Sequence, residues 1–173
     1  MNGIFVGRLC PIHIGHEMVI KKMIEECGGE ENCLVIIGSS NSPLSLRHFF
    51  SYEERREFLK KIFQGIRVVG LPDYPGDDKG WLVALDDILS LAKIAPQEAI
   101  FFGGCEEDVS FFIEAGRQIQ ILNRFDGSTP KISATEVRDC LIQVRSLDGL
   151  LNPAIAEFVQ SKFRQKWELF KRI

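Results

Sequence analysis

The sequence predicts an α/β fold: a doubly wound parallel sheet of about five strands with helices on both faces. Short apolar runs bounded by turn residues alternate with stretches whose apolar residues recur at helical spacing. The helical stretches run to about 10 to 15 residues, the length of a crossover between parallel strands. The chain has 173 residues, 45% of them apolar, which is enough for one sizeable core and little for two, so residues 1–173 are expected to form a single domain.

Ile4, Phe5 and Val6 read as a buried strand, and residues 15–27 then place His16, Val19, Ile20, Met23, Ile24 and Cys27 at helical spacing. Residues 33–37 form a second strand that ends in Gly38-Ser39-Ser40. After a loop, Ser51-Tyr52-Glu53-Glu54 has the S-x-x-E pattern of a capping box, opening a helix through Phe58, Leu59, Ile62 and Phe63. Residues 66–71 are a third strand. Residues 72–80, rich in Pro, Gly and Asp, read as a loop leading into a helix over residues 81–92. Two short strands follow, at 99–102 and 118–122, separated by a helix near 107–114 that ends at Gly116. Ser133-Ala134-Thr135-Glu136 is a second capping-box pattern, opening a helix to about 142. A last helix, about 152–171, starts with Asn152 as cap and Pro153 in its first turn. Its Phe163, Trp167 and Phe170 suit either a core helix or the interface of a homo-oligomer.

Composition narrows the function classes. Charged residues make up 26% of the chain with a net charge of -3, which disfavours broad nucleic-acid binding. The five cysteines are widely spaced without a C-x-x-C pair, so neither a disulfide framework nor a zinc ribbon is expected. Met1 leads directly into a strand, and no apolar stretch approaches the length of a membrane span. A cytoplasmic protein with no membrane partner is the expectation.

In a sheet of this kind ligands bind beyond the carboxyl ends of the strands, so the loops after Val6, Ile37, Leu71, Phe102 and Leu122 form the working edge. The first reads Gly7-Arg8-Leu9-Cys10-Pro11-Ile12-His13-Ile14-Gly15-His16. Gly7 permits a sharp turn, Pro11 stiffens the loop, and Gly15 leaves room for an anion at the helix start. Free backbone N–H groups and the positive end of the helix dipole favour an anion there, and His13 and His16 add side-chain donors. The two histidines could equally serve as helix caps. A zinc site would require a third ligand that this loop lacks. At the far end, Lys131-Ile132-Ser133-Ala134-Thr135-Glu136-Val137-Arg138 offers two hydroxyls and an arginine one turn on, a second place to hold phosphates.

The strand, G-x-x-x-P-x-H-x-G-H and helix together resemble the H-x-G-H signature of the nucleotidylyltransferase superfamily. The G-R-x-x-P-x-H-x-G-H version, with Leu9 where an aromatic residue is common, is similar to archaeal-type nicotinamide mononucleotide adenylyltransferases. Ser133 to Arg138 resembles the second signature, S-x-T-x-[IV]-R. The stretch Ser45-Leu46-Arg47-His48-Phe49-Phe50-Ser51, continuing to Glu54-Arg55, resembles a third, and the Gly38-Ser39 pair a fourth. The resemblance implies a Rossmann-like fold in which His13, His16 and Arg138 are catalytic. It implies that Gly7, Arg8, Gly15, Ser39, Arg47, Arg124, Ser133 and Thr135 bind nucleotide or phosphate. Asp73, Trp81 and Gly103 would bind the acceptor, with Trp81 stacking on a pyridine ring or else belonging to the core. Arg55 is expected to be a structural ion-pair partner. Where the family has G-N after the fourth strand, this sequence has Gly103-Gly104.

The reaction so implied moves AMP from ATP to nicotinamide (or nicotinate) mononucleotide and releases pyrophosphate. The acceptor phosphate is already an anion, so no side chain need deprotonate it. Mg²⁺ would be bound through substrate phosphates, with no dedicated protein ligands. The same motifs also fit a cytidylyltransferase, or an adenylyltransferase with a sugar- or alkyl-phosphate acceptor. A non-catalytic nucleotide-binding regulatory module is the alternative of another class.

Overall fold

The computed structural model describes residues 1–122 and 131–172. Five strands, β1 (Asn2–Gly7), β2 (Cys33–Ile37), β3 (Arg67–Gly70), β4 (Ala99–Gly103) and β5 (Gln118–Ile121), form one parallel sheet in the order β3-β2-β1-β4-β5. The chain winds outward from β1 to β3, returns to place β4 on the other side of β1, and continues to β5. The switch in direction lies between β1 and β4, where Phe5 pairs with Phe102 and the two strand ends diverge.

Alternation along the strands divides the core in two. Phe5, Val35, Ile37 and Phe102 face one side. There they meet α1 (Ile14–Cys27), α2 (Tyr52–Ile62), α5 (Ala134–Ile142) and α6 (Pro153–Phe170). Ile4, Leu34, Ile36 and Phe101 face the other, against α3 (Asp78–Leu91) and α4 (Glu106–Glu114). Emptying one such fully buried position, Leu85→Ala for example, costs about 2 to 5 kcal/mol.

The helix signals hold with one shift. Ser51 and Glu54 close a capping box, Ser51 Oγ accepting from Glu54 N at 3.2 Å and Glu54 Oε2 accepting from Ser51 N at 2.9 Å. Asn152 Oδ1 caps α6 by accepting from Ala154 N at 2.9 Å. Helix α3, expected at residue 81, begins at Asp78 because Asp77 Oδ1 accepts from Gly80 N at 2.8 Å. A Cβ at Gly80 would lie 2.2 Å from that carboxylate, so the glycine that reads as a loop residue is what admits the cap.

The aromatic residues of α6 turn inward. Phe163 stacks on Phe49 with centroids 4.4 Å apart, and Phe170 lies 5.1 Å from the same ring. Lys166 Nζ donates to Phe49 O at 3.3 Å and pairs with Glu54, so α6 anchors the loop that carries Arg47. The core-helix reading thus holds for these rings. All five cysteines are free, buried thiols. Among the described residues no helix is long and apolar enough to cross a membrane.

Candidate active site

A cleft of about 640 Å³ opens at the β1/β4 switch. It is lined by Gly7, Arg8, His13, His16, Arg47, Ser133, Thr135 and Arg138, with Phe102, Gly104 and Asp108 on the β4 side. Eight residues nominated from three distant stretches of sequence therefore meet in one space.

The histidines are both caps and lining. His13 is the N-cap of α1, its Nδ1 accepting from His16 N at 3.4 Å, while His16 Nδ1 accepts from His13 N at 3.4 Å. The rings stack with centroids 3.6 Å apart, and Phe5 meets His16 edge-on at 6.1 Å. Because each Nδ1 accepts, the proton of each neutral imidazole resides on Nε2, making that atom a donor. This double cap also revises the expectation of free backbone donors. His16 N–H is directed to His13, and Ile14 N–H donates to Leu150 O at 2.9 Å.

Both glycines of the first loop act differently from expectation. A Cβ at Gly7 would lie 2.9 Å from the Phe5 ring, so Gly7 provides space; the left-handed turn falls on Leu9, at φ 49°. A Cβ at Gly15 would sit 3.1 Å from the His13 ring, so the room at Gly15 accommodates that imidazole.

Three guanidiniums converge. Arg138 is braced by Cys10 O, to which Nη1 donates at 2.8 Å, and by Thr135 Oγ1, to which Nη2 donates at 3.1 Å. Burial first, then the charges of Arg47 and Arg138, hold the Arg8 guanidinium below the ordinary arginine value. Among the described residues none of the three is ion-paired to a carboxylate. Mutually repelling cations around a cleft are stabilised by a polyanion. Ser133, which also lines the cleft, accepts from Glu136 N at 3.1 Å as the cap of α5.

Among the described residues, five nominated ones, Gly15, Ser39, Asp73, Trp81 and Gly103, lie outside the cleft lining. Ser39 Oγ donates to Asp73 Oδ1 at 2.9 Å, and Ser42 Oγ donates to Asp73 Oδ2 at 2.7 Å, so Ser39 and Asp73 clamp the loops after β2 and β3 to each other. Gly15 lies behind His13, and a Cβ at Gly103 would be 2.5 Å from Val109, which makes Gly103 a packing glycine. Arg124 lies outside the described residues. Trp81 lines a hollow of about 330 Å³ that adjoins the cleft, because Val6 and Asp108 line both. Its ring is half-buried, edge-on to Phe111 at 5.3 Å.

Two residues escaped the sequence reading. Arg55, expected in an ion pair, is 2% exposed and donates only to carbonyls: Nη1 to Arg8 O at 2.7 Å and Gly38 O at 2.8 Å, Nη2 to Ser39 O at 3.0 Å, and Nε to Ser51 O at 3.3 Å. It ties together the loops after β1 and β2, including the left-handed Ser39 at φ 51°. Burial pulls its pKa down. Asp108, in the first turn of α4, accepts from Gly104 N at 3.0 Å, where the resembled family has an asparagine. Glu106-Glu107-Asp108 reads in sequence only as an acidic helix start.

Residues 4–139 match the model of a family described as cytidylyltransferase-like. A nicotinamide-nucleotide adenylyltransferase of Thermococcus sibiricus is 29% identical over 167 residues, 92% of this chain and 83% of that one. A bifunctional NMN adenylyltransferase/ADP ribose pyrophosphatase from Francisella tularensis superposes with a TM-score of 0.76 at 19% identity, over 94% of this chain and 49% of that one. A structure of that protein complexed with AMP and a manganese ion superposes at 0.72 and 19% identity, over 94% and 48%. The chain thus spans about half the length of the solved structures it matches. With a family match that runs from β1 through the first turns of α5, and so takes in both walls of the cleft, this chain belongs to the cytidylyltransferase-like family of nucleotidyltransferases.

Proposed function

We propose that this chain transfers AMP from ATP to nicotinamide or nicotinate mononucleotide, making a dinucleotide and releasing pyrophosphate in NAD synthesis in the cytoplasm. The whole chain acts as one nucleotidylyl-transfer domain. The observation that carries this reading is the convergence of Arg8, Arg47 and Arg138 on a cleft whose floor is the His13–His16 cap. The aromatic hollow beside it, with Trp81, supports a flat ring on the acceptor.

In this reaction an oxygen of the acceptor phosphate attacks the α-phosphorus of ATP in line. The new O–P bond forms as the bond to pyrophosphate breaks. Work of this kind needs positioning and charge neutralisation rather than a protein nucleophile. Arg8 and Arg47 hold the triphosphate, Ser133 and Thr135 border it, and Arg138 meets the leaving pyrophosphate. His13 and His16 donate from Nε2 toward the transferring phosphoryl group. The lining donors suit a polyanion, and a divalent cation, Mg²⁺ by preference, would be carried on the phosphate oxygens and offset their charge there.

The match over residues 4–139 to a family described as cytidylyltransferase-like supports a second reading, in which the acceptor is a sugar or alkyl phosphate and the donor CTP. Gly104, in place of the resembled family's asparagine, weakens the pyridine acceptor. Pyrophosphate release measured with ATP and with CTP, against both pyridine mononucleotides and glycerol phosphate, separates the two. We expect turnover with ATP and a pyridine mononucleotide; turnover with CTP alone would overturn the adenylyl assignment. Nucleotide binding without pyrophosphate release under any pairing would mark a regulatory module.

A further inference from the structure

The three arginines of the cleft are held in different ways. Arg138 is braced by Cys10 O and Thr135 Oγ1, and the carbonyl of Arg8 is bound by Arg55. Among the described residues the Arg47 guanidinium makes no hydrogen bond and no ion pair. It stands on a turn in which Ser45 N donates to His48 O at 3.2 Å and His48 N donates to Ser45 Oγ at 3.1 Å. Its reach into the cleft is therefore set by where its backbone is held. Phe49 and Phe50, the residues that follow, are each 1% exposed, and α6 covers them. Phe49 lies against Phe163, Trp167 and Phe170, with centroids 4.4, 6.3 and 5.1 Å away. Lys166 Nζ, from the same helix, lies 5.7 Å from the Phe50 centroid, donates to Phe49 O at 3.3 Å and pairs with Glu54 Oε2. That carboxylate oxygen also accepts from Ser51 N at 2.9 Å. One ammonium thus grips the chain at Phe49 and at the cap of α2. Exposed ion pairs hold little, but here the two side chains are 18% and 14% exposed. The aromatic contacts alone would bury Phe49. What the ammonium adds is direction, because it fixes a carbonyl and a carboxylate about one donor. The family match covers residues 4–139, so this grip comes from a helix outside the matched stretch.

We infer that Lys166 is a positioning residue for nucleotidylyl transfer, setting the place of Arg47 by holding Phe49 O and Glu54. The inference rests on the reading above in which Arg47 holds the triphosphate. Without the ammonium, the carbonyl and the carboxylate lose their shared donor, while Ser51 and Glu54 still cap α2 and the rings of α6 still pack on Phe49. The fold is kept and the turn at residues 45–48 loses its fixed point. A displacement of about 1 Å is enough to spoil the contact of a guanidinium with phosphate oxygens. Arg138 is braced by atoms of the first loop and of α5, away from Lys166, so the effect falls on Arg47.

The test is a double-mutant cycle of Lys166→Met and Arg47→Ala, read as the KM for ATP in pyrophosphate release and as the Kd for ATP by calorimetry. Methionine keeps an unbranched apolar stem and removes the charge and its donors. We expect Lys166→Met alone to raise both ATP constants about fivefold or more, with the acceptor KM within about twofold of wild type. In the Arg47→Ala background the same substitution should change them by less than about twofold, because the group through which Lys166 acts is gone. Lys166→Arg, which keeps a cation and its donors, should recover most of the loss. If Lys166→Met does not fold, Glu54→Gln takes its place in the cycle. Glutamine keeps an oxygen for Ser51 N, and a smaller shift with the same dependence on Arg47 is expected. Equal losses in both backgrounds, a loss shared by both substrates, or unchanged ATP constants overturn the inference and leave nucleotidylyl transfer standing. A wild type that binds ATP but releases no pyrophosphate with any acceptor overturns the transfer reading instead, and the Kd cycle still decides the role of Lys166.

Discussion

The two walls of the cleft solve opposite electrostatic problems with different materials. On the β1 side, burial and then the nearby charges of Arg47 and Arg138 depress the pKa of Arg8, and two imidazoles cap the helix that begins there. On the β4 side, Trp81, Phe111, Asp78 and Asp108 make an aromatic hollow with negative charge at its edge. The first wall is costly without a ligand, because its cations repel one another. The second is an aromatic slot with two carboxylates among its described lining residues. The contrast teaches that the cleft is polarised along its length, so a ligand with an anionic end and a flat cationic ring has one orientation in it.

The comparison can be broken most forcefully from beneath the first wall. Arg55→Met leaves the carbonyls of Arg8, Gly38 and Ser39 without their guanidinium donor, and should lower stability by about 3 kcal/mol or more. Chemical denaturation measures this, and a loss near zero would show that the two loops hold themselves. Next in size, His16→Ala should cut pyrophosphate release by about 10²-fold while the thermal transition stays within a few degrees, as loss of one transition-state donor predicts. Near-normal release would demote the imidazoles to caps.

A paired substitution sharpens the contrast directly. Arg8→Ala should raise the KM for ATP about tenfold with little change in the acceptor KM, whereas Trp81→Ala should do the reverse. Equal effects on both substrates in both variants would mean that the walls are not separate. The smallest effect is one of pH. Burial, and then the charge of Arg8, hold the pKa of His48 below its ordinary 6.5. Between that value and the lower folded one, the unfolded chain binds a proton that the folded chain does not. Its contribution to stability is therefore complete above about 6.5 and is lost as pH falls through the folded pKa. A bound triphosphate offsets Arg8, so melting followed between pH 7 and 5, values spanning the ordinary His range, should show a shallower decline with an ATP analogue than without. Parallel curves would remove His48 from the arginine wall's field.

Much of this arrangement was legible in the chain. The strands could be read because parallel, doubly covered strands are continuous apolar runs, as in residues 33–37. The first wall could be read because its chemistry is packed into two short motifs. The rest depends on contacts that sequence order conceals. Arg55 sits on a helix surface pattern that suggests an ion pair, and its carbonyl partners come from loops that only the β1–β2 pairing brings beside it. Asp108 reads as a helix-start acid until α4 is laid against the mouth of the hollow. The start of α3 was misplaced because Gly80 signals a loop by type, and only its proximity to Asp77 shows it to be the residue that makes the cap possible.

The Arg55 strut has a consequence for ionic strength. Its guanidinium is withdrawn from water and bound to four carbonyls directly under the loop that presents Arg8. Mobile ions screen the exposed arginines of the cleft but reach a buried charge poorly. Nucleotide affinity should therefore fall with added salt and then level off, the plateau being the share contributed by a cation that the solvent cannot approach.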